Sequence, residues 1–415
     1  MAERVVLVGG GLAGLVAAWR AATVGQRVEL VTQGWGALAW HAGTIDVLGY
    51  QGGVLVAAPG KAIDDLGRRH PDHPYAKAGL ANLVQALAAF GQLCGEAGYP
   101  LEGSLEKNWL LPSAVGALRP TCLAPASMIA GDLTRGDPML LVGLEGYQDF
   151  HPELAATNLA AQGVQADSIM LALPALRRRA FLNARVLASL FEEAEFRAQV
   201  VAKIGNAVGS VARVGFPAVL GLERATEVRA ELEASLDREV FEIPVLPPSI
   251  PGLRLQRILR TAIESAGGRV HDGMSVVGAE VEGTRVKAVL TEAAARRQRH
   301  SGDHFVLATG GILGGGMVTG FEQPPREVVF GLPVETPAGN GLAPRFFDPG
   351  GHSVYRSGIR VDSRLRPLNA RGPRFANLVV AGSAIGGCDP IAERSLEGVA
   401  LATGWLAGGR SVEET

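Results

Sequence analysis

The chain has 415 residues, 47% of them hydrophobic and 19% charged, a globular composition large enough for two or three domains and incompatible with intrinsic disorder. Lys and Arg number 39 against 41 Asp and Glu, a net charge of −2, so no basic excess is available to hold nucleic acid by phosphate neutralisation. The three cysteines, Cys94, Cys122 and Cys388, form no CxxC pair, which argues against an iron–sulfur cluster, a zinc ribbon or a disulfide framework, and no metal site is expected.

Residues 4–8, Arg-Val-Val-Leu-Val, read as a buried strand. Gly9-Gly10-Gly11-Leu12-Ala13-Gly14 follows at once, residues 15–22 read as a helix stopped by Gly25, and residues 27–31 read as a second strand. Strand, G-x-G-x-x-G, helix and strand within about thirty residues is the order a dinucleotide or flavin phosphate requires. Gly9 permits the turn, Gly11 bares backbone to a phosphate, and Gly14 brings helix against strand. A tight turn without a ligand is the alternative. The acid that normally ends the second strand is absent: Thr32 and Gln33 stand there, and Glu29 comes three residues too early, so the expected ribose contact is a weaker hydroxyl.

Past Pro59-Gly60 the pattern changes. Helices are expected over residues 82–97, 183–199 and 223–236, with an apolar strand over residues 138–143. This stretch reads as an inserted α/β cap, giving a three-part division: residues 1–58, first part of a nucleotide-binding domain; 59–250, inserted domain; 251–415, second part. Residues 254–266 have apolar positions at helical spacing, ended by Gly267-Gly268. Three short strands are expected at residues 269–271, 275–281 and 285–290, then a buried strand ending in Thr309-Gly310-Gly311. The last motif is residues 377–387, Asn-Leu-Val-Val-Ala-Gly-Ser-Ala-Ile-Gly-Gly, before a closing helix over residues 395–406.

The helix, three-stranded meander and Ala308-Thr309-Gly310-Gly311 strand end resemble the two-dinucleotide-domain flavoproteins, the superfamily of fumarate reductase, aspartate oxidase and glycerol-3-phosphate dehydrogenases. Gly382-Ser383 is similar to that superfamily's strand end facing the flavin, with Ser383 in place of an acid. Residues 358–362, Gly-Ile-Arg-Val-Asp, resemble its neighbouring strand. Thr32-Gln33-Gly34, Gly43-Thr44-Ile45-Asp46, His73-Pro74-Tyr75, Leu246-Pro247-Pro248-Ser249, Arg254-Leu255-Gln256 and Cys388-Asp389-Pro390-Ile391 narrow the likeness to the family of B subunits of anaerobic glycerol-3-phosphate dehydrogenases. The resemblance implies a Rossmann-like FAD/NAD(P)-binding flavoprotein fold of the α/β class. It implies a flavin, FMN by the family and FAD by the motif, on Gly9, Gly10, Gly11, Leu12, Ala13, Gly14, Thr32, Gln33, Gly43, Val276, Thr309, Gly310, Gly382 and Ser383. It also implies two partners. One is a catalytic flavoprotein, the A subunit, which oxidises sn-glycerol 3-phosphate to dihydroxyacetone phosphate. The other is an iron–sulfur membrane anchor, the C subunit, with electrons passing toward quinone, fumarate or nitrate. The closing helix would aim its N-terminal dipole at the flavin.

No run of 18 apolar residues occurs and Met1-Ala2-Glu3-Arg4 leads straight into the first strand, so the expected location is the cytoplasm, reaching the membrane only through a partner. No His–acid or Lys–acid pair stands at a spacing that marks a general base, and no catalytic residue is assigned. His41 reads as packed rather than flavin-linked and Cys388 as a small buried residue. The runs at 177–179 and 296–300 read as a solvated face or hairpin tip, or as a docking patch. His352, Arg356 and Arg360 read either as a basic pocket for a phosphorylated substrate or as surface residues. Two other functions stay open: a stand-alone flavin oxidoreductase on another small molecule, and a flavin-free assembly subunit.

Overall fold

The structure, a computed structural model, describes residues 2–177, 181–293, 296–320, 323–337, 341–348 and 350–409. In chain order it opens with strand β1 (Arg4–Val8), helix α1 (Leu12–Thr23) and strand β2 (Arg27–Val31). Helix α2 (Leu80–Glu96) leads into strands β3 (Met139–Leu144) and β4 (Ala166–Leu171), helices α3 (Ala184–Phe191) and α4 (Ala194–Ile204), strand β5 (Arg213–Pro217), helix α5 (Ala225–Leu236) and strand β6 (Glu239–Ile243). Helix α6 (Ile250–Ser265) precedes strands β7 (Arg269–His271), β8 (Ser275–Glu282), β9 (Arg285–Ala293), β10 (Arg296–Ser301), β11 (His304–Leu307) and β12 (Leu378–Val380). Helix α7 (Leu396–Gly408) closes the chain.

The chain divides into two compact units. The first comprises residues 1–37, 46–90 and 256–415, and the second residues 38–45 and 91–255. The divisions expected from sequence fell at 58/59 and 250/251; residues 59–90 instead group with the nucleotide-binding unit and the short stretch 38–45 with the other.

The first unit is built on a five-stranded sheet in the order β7-β2-β1-β11-β12, every pair parallel. Its strands are short apolar runs because a parallel sheet is covered on both faces; Val6, Leu7, Leu30, Phe305 and Leu378 are fully buried. Helix α1 is rich in alanine, and α7 meets it through Gly404 and Gly408, where a Cβ would strike the carbonyls of Ala13 and Ala17. A separate antiparallel sheet, β8-β9-β10, belongs to the same unit.

That sheet corrects one expectation. Three strands form the meander, but residues 269–271 are not among them: β7 joins the parallel sheet beside β2. The third meander strand is β10, the run read as a solvated face or hairpin tip. Arg296, Arg297, Gln298 and Arg299 are exposed, as a solvated face requires, while His300 is buried. Residues 358–362 make only isolated bridges, Gly358 with Glu335, Ile359 with Ile385 and Val361 with Pro367, rather than a strand.

The second unit holds a four-stranded parallel sheet, β4-β3-β5-β6, the α/β core expected of the inserted region. Beside it, Arg254 and Glu242 form a buried ion pair at 2.7 Å, with Glu242 also accepting from Ser127 (2.8 Å) and Leu220 N (3.0 Å). The helix expected over 183–199 is two helices, α3 and α4, broken at Glu192-Glu193. Of the run at 177–179, Arg178 and Arg179 lie outside the described residues. Among the described residues no helix is long and apolar enough to cross a membrane.

Candidate functional site

Register places three glycine turns side by side in the first unit. Val8 pairs with Leu307 and Leu307 with Val380, so β1, β11 and β12 end level with one another. Beyond those ends come Gly9-Gly10-Gly11, Thr309-Gly310-Gly311 and Gly382-Ser383. In a parallel α/β sheet, the carboxyl ends of the strands are where ligands bind. Backbone hydrogen bonds lock the alignment: Gly9 N to Val31 O at 2.9 Å, Ala308 N to Val8 O at 2.8 Å and Ala381 N to Leu307 O at 2.9 Å.

The glycines of the first turn do different jobs. Gly9 has φ +113° and lies against Ala308 and Thr309, so both conformation and space demand glycine. A Cβ at Gly14 would run into the Gly9 carbonyl, and one at Gly10 would lie 2.8 Å from Thr32 Cβ. Gly11 differs. It is the N-cap of α1 with φ −74° and ψ 177°, a conformation open to any residue, and a Cβ there would have no protein atom within 4 Å. The one fingerprint glycine required neither by packing nor by φ stands at the helix N-terminus, whose first-turn N–H groups have no intrahelical acceptor. Leu12 and Ala13 are buried; Gly382 closes on this end, its Cβ position 2.8 Å from Ala13 Cβ.

Thr309 supplies a second sign of a ligand. Its hydroxyl is buried and has no hydrogen-bond partner, while the hydroxyl of the neighbouring motif, Ser383, accepts from Gly311 N at 3.1 Å. A buried hydroxyl without a partner is costly, and here it belongs to the residue adjoining Gly9. The bare approach at Gly11, the free helix N-terminus and the orphaned Thr309 hydroxyl fit the phosphate side of a bound flavin.

Other expected site residues fall differently. Thr32 donates to Gly34 O and accepts from Gly34 N at 3.1 Å, so its hydrogen is spent on its own turn. Gln33 is exposed. Val276, second in β8, pairs with Thr291 next to an irregularity in register. Gly43 belongs to the second unit; its φ is +80° and its amide donates to His41 Nδ1 at 2.7 Å, which gives it a local reason to be glycine. At the start of α7, Gly398 N donates to Asp46 O at 3.0 Å, so part of that helix end is already satisfied by protein. His352 is engaged by Ala343 N (3.0 Å) and Phe346 O (2.8 Å), and Arg360 by Glu335 at 3.3 Å; these ties favour the surface reading over a convergent basic pocket.

Distant segments assemble one group that spacing could not reveal. His73 Nε2 lies 3.0 Å from Glu393 Oε2, and the Cys388 thiol reaches the same carboxylate at 3.3 Å and Ser395 Oγ at 3.1 Å. Burial and the neighbouring Glu393 charge push the Cys388 thiol well above 9.0, so it stays protonated. Burial pushes Glu393 up, but hydrogen bonds, that of His73 first among them, bring it below its ordinary value. The only sequence trace of this group was the His73-Pro74-Tyr75 and Cys388-Asp389-Pro390 motifs of the family resemblance.

With the geometry in view, comparison with known proteins defines the class. Residues 4–399 match the FAD-binding domain family, and the chain is a flavoprotein of that family. A Halobacterium salinarum protein, named as the B subunit of a probable anaerobic glycerol-3-phosphate dehydrogenase, is 35% identical over 99% of this chain and 98% of that one. The corresponding B subunit from Yersinia enterocolitica is 33% identical over 96% of this chain and 95% of that one. Among solved structures, a flavocytochrome c3 fumarate reductase is similar with a TM-score of 0.45 and 11% identity, covering 99% of this chain and 78% of that chain. The chain belongs to the family of B subunits of anaerobic glycerol-3-phosphate dehydrogenase.

Proposed function

We propose that this chain is the flavin-carrying B subunit of an anaerobic glycerol-3-phosphate dehydrogenase. It works between two partners: an A subunit that oxidises sn-glycerol 3-phosphate to dihydroxyacetone phosphate, and an iron–sulfur C subunit that meets the membrane. The observation that carries the flavin role is the alignment of three glycine turns at one sheet edge, with Gly11 bare and the Thr309 hydroxyl orphaned beside them. A bound flavin supplies acceptance of an electron pair and its release toward an acceptor. The chain's own residues hold and orient it: Gly11 and the first turn of α1 receive phosphate oxygens, Thr309 donates its free hydroxyl, and Gly382 and Ser383 fix the third turn. The dinucleotide form, FAD, is favoured over FMN, because the fingerprint at α1 is built for a pyrophosphate.

The test is direct. The purified chain should be yellow, and mass measurement of the released flavin should give FAD. With an artificial acceptor it should turn over glycerol 3-phosphate poorly alone, and should restore quinone reduction when mixed with both partners. Full turnover by the isolated chain would overturn the division of labour. A colourless, well-folded protein that refuses flavin would favour an assembly role without the cofactor.

A further inference from the structure

We propose a divalent transition-metal site, taking zinc, at Glu29, His271 and His300 in the first unit. The three residues come from three strands: Glu29 from β2, His271 from β7 and His300 from β10. Strand geometry brings the first two together. Glu29 and Val31 share a face of β2, and Val31 pairs directly with His271. His300 is the one buried position of the arginine-rich β10, whose residues 296–299 are exposed.

The ligand atoms converge. Glu29 Oε1 lies 3.0 Å from His271 Nε2 and 3.0 Å from His300 Nδ1, and all three atoms lie within 4.8 Å of one another. A tetrahedral zinc with bonds of about 2.0–2.1 Å spaces its ligand atoms roughly 3.3 Å apart, close to the two 3.0 Å gaps around Glu29 Oε1. Two imidazoles and one carboxylate are a known zinc donor set that leaves a fourth position for water.

Hydrogen bonding alone leaves this cluster incomplete. His271 Nε2 is buried and 3.0 Å from a carboxylate oxygen, yet the ring is not turned to make a hydrogen bond with it. A lone pair directed at a cation shared with the carboxylate points beside the oxygen, not at it. The outer partners a metal-bound imidazole requires are also in place. With the cation on His300 Nδ1, the ring's Nε2–H goes to Thr291 Oγ1 at 3.0 Å, and the Thr291 hydrogen goes to Met274 Sδ at 3.9 Å. The second carboxylate-centred cluster, at His73, lacks this freedom. There Nδ1 accepts from Tyr75 N at 3.1 Å, which puts the proton of the neutral ring on Nε2, facing Glu393.

The side chains of Glu29 and His271 are 23% and 28% exposed, so an ion has a way in. Bound there, it would staple the three-residue edge strand β7 to the antiparallel sheet. His271 O also accepts from Thr32 N at 2.9 Å, one residue past β2, which links the staple to the turn packed under Gly10.

The experiment uses the full, flavin-loaded chain with any purification tag removed, dialysed against a chelator and titrated calorimetrically with zinc chloride. Wild type should take one zinc per chain, and its thermal midpoint should rise with zinc. His271→Gln and Glu29→Gln should each weaken binding at least tenfold while keeping their flavin absorbance, and His70→Gln, at an exposed histidine, should bind as wild type does. Because His271 and Glu29 are partly exposed, at least one of the two variants should fold and decide the matter. No zinc uptake by wild type, or uptake unchanged in both variants, would overturn the site and leave Glu29 as a hydrogen-bond partner of His300 Nδ1.

Discussion

The fingerprint glycines at 9, 10, 11 and 14 are alike in sequence and different in physics. Gly9 and Gly14 are demanded by backbone contact, whereas Gly11 faces open space in a conformation any residue adopts. Gly11→Val should therefore leave the fold intact and cut flavin retention, since its side chain enters only the space a phosphate would use. Gly14→Ala should destabilise the chain by about 1–3 kcal/mol or more, because its methyl overpacks against the Gly9 carbonyl. Flavin content per folded protein, with circular dichroism to confirm folding, separates the two. Equal flavin retention in Gly11→Val and wild type would show that no phosphate lies there. The sequence pattern identified the turn, but only three-dimensional placement tells the bare glycine from the packed ones. Thr32 makes the same point from the other side: a hydroxyl at the ribose position looked available, and the fold has spent its hydrogen on Gly34.

Elements were legible where one pattern dominated. The strand-turn-helix-strand opening, the apolar strand near 138 and the helices near 82 and 254 follow from period and punctuation. Two features stayed hidden because a polar pattern does not show what it pairs with. The arginines of β10 are exposed, as a solvated face requires, but their strand's pairing with the adjacent β9 cannot be seen in a polar run. The single helix expected over 183–199 breaks at Glu192 because that carboxylate serves another element. Glu192 Oε1 accepts from Leu222 N (2.9 Å), Glu223 N (2.6 Å) and Arg224 N (3.1 Å), ahead of α5, whose own N-cap residue makes no side-chain cap. Burial pushes Glu192 up, and these backbone donors bring it below its ordinary value. A carboxylate at a helix start meets both free donors and the helix dipole. Glu192→Ala should cost about 1–2 kcal/mol, the usual range for a lost cap. Urea denaturation should show the midpoint falling with the m-value unchanged. A variant as stable as wild type would mean water replaces the carboxylate without cost.

At the scale of the whole chain, acid stability follows from where its carboxylates sit, and neither the net charge of −2 nor any motif foretold it. Glu242 is the clearest case. Burial pushes its pKa up, but the charge of Arg254 and the hydrogen bonds of Arg254, Leu220 and Ser127 bring it below its ordinary 4.5. Glu192 and Glu393 are lowered too, and so is Asp137, against its burial, by Arg135 and Arg213. A carboxylate whose folded pKa lies below its unfolded value adds stability that is complete above the unfolded pKa and is lost as pH falls through the folded one. Glu327 has the opposite sign: burial raises it despite donors from Val329, Phe330 and Leu332, so its penalty is relieved as pH falls. Four lowered groups outweigh one raised group, so the thermal midpoint should hold from pH 7 to about 5 and drop steeply below about 4.5. Glu242→Gln isolates one contribution. It leaves the Arg254 guanidinium buried without its counter-charge, at a cost of about 3–5 kcal/mol at pH 7. Its midpoint should then fall less steeply with acid than that of wild type, because the group that had to be protonated is gone. Parallel acid profiles for the two proteins would show that the Glu242–Arg254 pair does not govern acid unfolding, and would shift the cause to the more exposed Asp137 and Glu192.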